Sequence, residues 1–254
     1  MLLAIDVGNT QTAVGVFKGD ELRCHWRIST NKEETADELA ITLSDLLALK
    51  GFALNDLTAI IISSVVPHCT ISLIEMARKN LGIEPLVVSP GVRTGIPILY
   101  DNPHEVGADR IANAVAAYEL YGGPVIVVDF GTATTFDAIS EKGEYLGGAI
   151  APGVEVAAQA LFSAAAKLSG VELVRPPSPI GKNTRASLQS GIIFGSAGLV
   201  DTLVRRIKKE MRGNPRVIAT GGLAELMAPE CETIDEVNPL LTLIGLKKIY
   251  DKNI

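Results

Sequence analysis

The chain has 254 residues, 47% hydrophobic and 20% charged, with a formal net charge of −6. That is enough for one large domain or two smaller ones, with a core that needs no disulfide or metal staple. The acidic balance argues against general nucleic-acid or membrane binding, which uses a basic face. Three cysteines, Cys24, Cys69 and Cys231, form no CxxC pair and leave an odd count, as reduced thiols do. With no basic leader ahead of the first strand, a cytoplasmic protein is expected.

In chain order, residues 2–7, 12–18 and 21–29 read as three strands, with Gly19-Asp20 as a tight turn between the second and third. Ala36, Leu39, Ala40, Leu43, Leu46 and Leu47 then recur at helical spacing, and Gly51 suits that helix's end. The run AIIISSVV (59–66) is too short to span a bilayer and reads as a buried parallel strand within 58–64. A helix over 70–81, a short strand at 85–88 and a Gly/Pro-rich loop at 89–103 follow. A helix over 105–121 stops at Gly122-Gly123-Pro124.

The pattern then restarts. Strands are expected at 125–129, 134–140 and 144–150, with a turn at Lys142-Gly143. Laying DVGNTQT (6–12) over DFGTATT (129–135) matches Asp6 with Asp129, Gly8 with Gly131 and Thr12 with Thr135. The chain therefore reads as two related halves, 1–117 and 118–254. The second continues with a long helix carrying Leu188, Ile192, Leu199, Leu203, Ile207 and Met211, and a strand from Arg216 to Ala219. Thr220-Gly221-Gly222 then opens a helix, and a last helix runs through Leu241, Ile244 and Ile249.

Each half opens with an apolar strand ending in a carboxylate, then a small, hydroxyl-rich turn. Gly8 and Gly131 let the backbone bend and approach a ligand closely. Backbone N–H groups and the hydroxyls of Thr10, Thr12, Thr132 and Thr134 are donors for phosphate oxygens. Asp6 and Asp129 cannot face phosphate without a cation between, so the pair implies a bound cation beside a polyphosphate. A single Asp of this kind is as often there to satisfy turn backbone groups; two copies favour the ligand. No P-loop is present, since IGKNT (180–184) lacks the upstream Gly. Gly221-Gly222 suits close approach to an adenosine, or simply a turn. This duplicated opening suggests the actin, sugar-kinase and Hsp70 architecture: an α/β chain of two ribonuclease-H-like domains with a nucleotide cleft between them.

The stretch GADRIANAVAAYELYGGPVIVVDFGTATTFDAI (107–139), with IDVGNTQT (5–12), GGAIAPG (147–153), IGKNT (180–184) and ATGG (219–222), resembles the type III pantothenate kinase family over essentially the whole chain. The resemblance implies ATP-dependent phosphorylation of pantothenate, the first step of coenzyme A synthesis, by a homodimer. It implies that Asp6, Val7, Gly8, Asn9, Thr10, Gln11, Thr12 and Ala13 hold ATP, with a phosphate contact from Thr132. Asp129 would bind a monovalent cation, K⁺ or NH₄⁺, and Asp6 would orient Mg²⁺ through water. Tyr100, Gly107, Ala108, Asp109, Arg110 and Thr184 would contact pantothenate, with Asp109 as proton acceptor. The residues of GADR agree, because Arg110 offers a planar fork suited to a carboxylate. On its own the motif would equally be a helix-start Asp beside an Arg. His25, His68 and His104 receive no role. Two other readings remain: a kinase of this fold with another acceptor, and a non-catalytic relative that binds partners.

Overall fold

The structure, a computed structural model, describes residues 1–164 and 170–254. Packing divides it into two units: Met1–Gly95 with Asp101–Ala116 and Leu241–Ile254, and Ile96–Tyr100 with Ala117–Leu240.

In the first unit, β1 (Leu2–Val7), β2 (Gln11–Lys18) and β3 (Glu21–Ser29) form an antiparallel meander. β4 (Ala59–Ser64) and β5 (Leu86–Val87) extend it as parallel strands, in the order β3-β2-β1-β4-β5. The continuous apolar runs of β1 and β4 arise because both sheet faces are covered. On one face α1 (Ala36–Ala48) and α2 (Pro67–Met76) pack Leu43, Leu47, Leu73 and Met76 against Leu3, Ile5, Ile60 and Ile62. A capping box at Thr35 and Glu38 starts α1, an arrangement that stabilises by about 1 kcal/mol. The expected helix over 70–81 begins earlier, at Pro67, whose missing N–H costs nothing there, and ends in a π-helical turn, Ala77–Leu81.

The C-terminal helix, Leu241–Asp251, packs in this same unit, on β1, β2 and β4. The sequence division at 117/118 groups it with the second half; packing places it with the first. Gly245 lies so close to α3 (Ala108–Tyr121) that a Cβ there would overlap the Ala112 carbonyl. Beside it the Thr242 hydroxyl donates to Asn113 Oδ1 at 2.7 Å.

In the second unit β6 (Val125–Phe130), β7 (Ala133–Ile139) and β8 (Tyr145–Pro152) are again an antiparallel meander. After α4 (Val154–Ala164) and α5 (Thr184–Glu210), β9 (Arg216–Thr220) adds parallel to β6. The short α6 (Ala224–Met227) leads to β10 (Glu236–Val237), giving the order β8-β7-β6-β9-β10. This is the first sheet's topology repeated, as expected of two ribonuclease-H-like units. Even the irregularities repeat: both meanders carry one extra residue at the corresponding point, Arg23 between Leu22 and Cys24 on β3 and Leu146 between Tyr145 and Gly147 on β8.

One expectation is corrected. In register Val7 faces Thr12 and Phe130 faces Thr134, so Thr12 corresponds to Thr134, not Thr135. The second turn is one residue shorter, which an ungapped overlay cannot reveal. In α5 the buried face runs through Ile193, Ala197, Val200 and Val204, while Leu199 is 39% exposed. Ile192 is buried as well, Leu203 and Ile207 pack against the same core, and Met211 stands at the helix's C-cap. The length and composition of α5 would also suit a bilayer crossing, but this face is packed on β6 in the core.

Candidate active site

The first loop is held by a residue that the motif does not contain. Thr30, just past β3, donates its hydroxyl to the Gly8 carbonyl at 2.8 Å and its backbone N–H to Thr10 O at 2.9 Å. Its Oγ1 also lies 2.9 Å from Thr12 Oγ1. The Thr12 side chain is therefore turned into the protein, as is that of Thr134. Asn9, Thr10 and Gln11 are exposed at the tip, as is Thr132 in the second loop. Gly8 has no room for a side chain, since a Cβ would lie 2.9 Å from the Gln11 carbonyl oxygen. Asp6 sits one residue before the turn, in register with Ala13 on one side and Ser63 on the other; Ser63 Oγ is buried without a hydrogen-bond partner.

Asp129 holds the corresponding place in the second unit, flanked in register by Thr135 and Thr220. Gly221, at φ +95°, passes so close that a Cβ would overlap Asp129 Oδ1 and lie 2.6 Å from Phe130 O. Thr135 Oγ1 is buried without a hydrogen-bond partner. The Asp129 carboxylate and the Phe130 carbonyl thus lie against Gly221, where a side chain would displace them, and Thr135 stands beside Asp129 across the register. An all-oxygen set with one negative charge fits a hard cation of low charge. Among the described residues no three His, Cys, Asp or Glu side chains gather to hold a metal.

Asp109 lies in the first turn of α3, because the expected helix over 105–121 is interrupted at Val106-Gly107 after a 3₁₀ turn at Pro103–Glu105. Its Oδ1 accepts the Arg110 backbone N–H at 2.8 Å. Asp109 retains some accessible surface, yet protein crowds the carboxyl, and burial pushes its pKa above the usual carboxylate range, opposed by that N–H and the Arg110 charge. Arg110 itself is buried. A side chain at 107 would overlap Asp109 Oδ1, so Gly107 keeps space for the acid. Buried Asp201 is a contrast: it accepts from Glu232 N, Thr233 N and Thr233 Oγ1, a purely structural cap. The Cys231 thiol is pushed up to about 12, by burial and then by Asp201 and Glu230, and is no nucleophile.

The model of the type III pantothenate kinase family matches residues 2–206. A type III pantothenate kinase from Moorella thermoacetica is 58% identical over 253 residues, covering 100% of both chains. One from Geobacter sulfurreducens is 53% identical, covering 100% of this chain and 99% of that one. The chain belongs to the type III pantothenate kinase family. Its fold is shared more widely. A ROK hexokinase from Thermus thermophilus aligns with a TM-score of 0.55 at 14% identity, covering 100% of this chain and 99% of that one. The (R)-2-hydroxyglutaryl-CoA dehydratase component A of Acidaminococcus fermentans gives 0.58 at 16%, covering 98% and 96%.

The glycines of this pantothenate kinase family chain have distinct tasks. A Cβ at Gly153 would overlap the carbonyls of Gly131 and Thr132, so Gly153 lets the start of α4 close on the second loop. Gly147, at φ +111°, leaves room for the Tyr100 ring, whose carbons would lie 3.3 and 3.4 Å from a Cβ there. IGKNT is a helix start: the Asn183 side chain accepts the Ala186 N–H at 2.9 Å, and Thr184 stands exposed as the first residue of α5.

Proposed function

We propose that this chain transfers the γ-phosphoryl group of ATP to the primary hydroxyl of pantothenate, the first step of coenzyme A biosynthesis. The observation that carries this reading is a half-buried acid crowded by protein, next to a buried Arg at a helix start, in a chain 58% identical from end to end to a type III pantothenate kinase. Arg110 takes the pantothenate carboxylate in its planar fork, and Tyr100, Gly107, Ala108 and Thr184 complete that side. Asp109 orients the hydroxyl and accepts its proton. Phosphoryl transfer is loose, so the hydroxyl becomes acidic late and a carboxylate suffices as base; burial brings its proton affinity nearer the task. The loop from Asp6 to Ala13, with Thr132, takes the ATP phosphates through backbone N–H groups and the exposed hydroxyls. Asp6 would orient Mg²⁺ through water, and Asp129 would hold K⁺ or NH₄⁺. Bound there, these ions neutralise charge on the phosphates.

ADP release measured with ATP, Mg²⁺ and K⁺ tests the reaction. Release is expected only with pantothenate present; equal release without it would overturn the assignment.

We also place the enzyme in the cytoplasm as a homodimer, with no nucleic-acid or membrane partner. Its net charge of −6 and three free cysteines support the location. Leu146 and Ile150, on the edge strand β8, are 40% and 65% exposed, and neighbouring Leu99 is 55% exposed. Such a run of apolar residues on a sheet edge favours a protein contact. Light scattering should give the mass of two chains, and Ile150→Glu should reduce it to one. A single-chain mass for the unaltered protein at micromolar concentration would remove the dimer.

A further inference from the structure

Asp137 is a fully buried acid in the middle of β7, far along the strand from the loop at Gly131, and the mechanism above does not use it. Its Oδ1 accepts the hydroxyl of Tyr145, also fully buried, at 2.7 Å. Tyr145 begins β8 immediately before the bulged Leu146, and a bulge re-aims the side chains beside it. The segment that carries Tyr100 is hydrogen-bonded to Tyr145. Leu99 N–H donates to Tyr145 O and Tyr145 N–H donates to Pro97 O, both at 2.8 Å, with Ile98 bridged in parallel to Tyr145. The Tyr100 ring then leans on the Tyr145 ring, centroids 6.3 Å apart and planes tilted by 53°. Opposite it is the gap at Gly147.

Tyr100 therefore sits on a segment outside the named strands, hydrogen-bonded to a tyrosine whose hydroxyl is bound by a buried carboxylate. We propose that Tyr145 and Asp137 are positioning residues that fix the Tyr100 ring for the phosphoryl acceptor. This rests on the reading of Tyr100 as a pantothenate contact. A tilted ring pair tolerates small slips at low cost. The directional O–H···O bond does not, and it sets the angle at which Tyr100 is presented. A group that only orients one substrate contact should change the affinity for that substrate and leave the chemical step and the nucleotide alone.

Tyr145→Phe keeps the ring and removes only the hydroxyl. The KM for pantothenate should rise about 3- to 10-fold while kcat and the KM for ATP stay within about twofold. Asp137→Ala cuts the same bond from the other side and should shift the same constant. Asp137→Asn keeps an oxygen acceptor and should stay near the unaltered enzyme. Tyr100→Ala is the control for the underlying reading. If it raises the pantothenate KM and Tyr145→Phe does not, the positioning role is wrong and the proposed function stands. If Tyr100→Ala also leaves that KM unchanged, the placement of Tyr100 at the acceptor has failed. A lowered kcat with both KM values raised and a lowered Tm, or failure of both Tyr145→Phe and Asp137→Ala to fold, would make the pair a structural tie and overturn the proposal.

Discussion

Asp109→Asn will bind ATP with unchanged affinity and turn over pantothenate about 10²–10⁴-fold more slowly, the usual contribution of a positioned acid–base group. The two side chains have nearly the same shape, so the Gly107 space and the α3 start are kept, and only the proposed proton acceptor is lost. The variant should also be at least as stable as the parent. Burial raises the Asp109 pKa above the ordinary carboxylate value. As pH rises from that ordinary value, the unfolded chain gives up this proton while the folded chain still holds it. Stability therefore falls through the window up to the raised folded-state pKa. Above it the ionised carboxylate costs the fold free energy, a cost that Asn does not carry. Thermal melts at neutral pH should show the Asn variant unchanged or higher, with this part of the pH dependence gone. Near-normal turnover would remove Asp109 from the mechanism; a large drop in Tm would mean that the acid holds the helix start together.

Asp129→Ala will abolish the dependence of rate on K⁺ or NH₄⁺ and lower activity at saturating cation by about 10–100-fold, on the scale seen when support of a bound ion is lost. The argument is electrostatic. On the proposed reading Asp129 supplies the charge, with the neutral Phe130 carbonyl at Gly221 and Thr135 across the register beside it. Without it the remaining neutral oxygens hold a monovalent ion weakly. Asp129→Asn, which keeps an oxygen and loses the charge, should fall between. A second readout is independent of turnover: K⁺ should raise the Tm of the parent and not that of the Ala variant. A cation response that survives in both measurements would put the ion elsewhere.

The strands of both meanders were legible because each is a local pattern. LLAIDV and VIVVDF are apolar runs ended by an acid and a glycine turn, and their burial follows from being central strands covered on both faces. The duplicated Asp-x-Gly was legible for the same reason. The exact equivalence of the two loops was not, because a turn shortened by one residue looks the same in letters and shows only in the pairing of Phe130 with Thr134. Thr30 was hidden although it ties the first loop, because its partners at Gly8, Thr10 and Thr12 lie across the hairpin. The register Gln11–Ser29 is the signal from which it could have been found.

By itself the sequence determined which segments become strands and helices, where the chain repeats itself, and which acids stand at strand and helix ends, since backbone preference and apolar spacing act within a few residues. Tertiary structure alone decided that the last helix is built into the first unit against Asn113 and Ala112, that Asp109 is crowded enough to hold its proton more tightly, and that Tyr145 is locked by Asp137. Those outcomes depend on which surfaces meet. An apolar stripe states that a helix must be buried but carries no record of its partner, and the proton affinity of a carboxyl is set by atoms that reach it from distant parts of the chain.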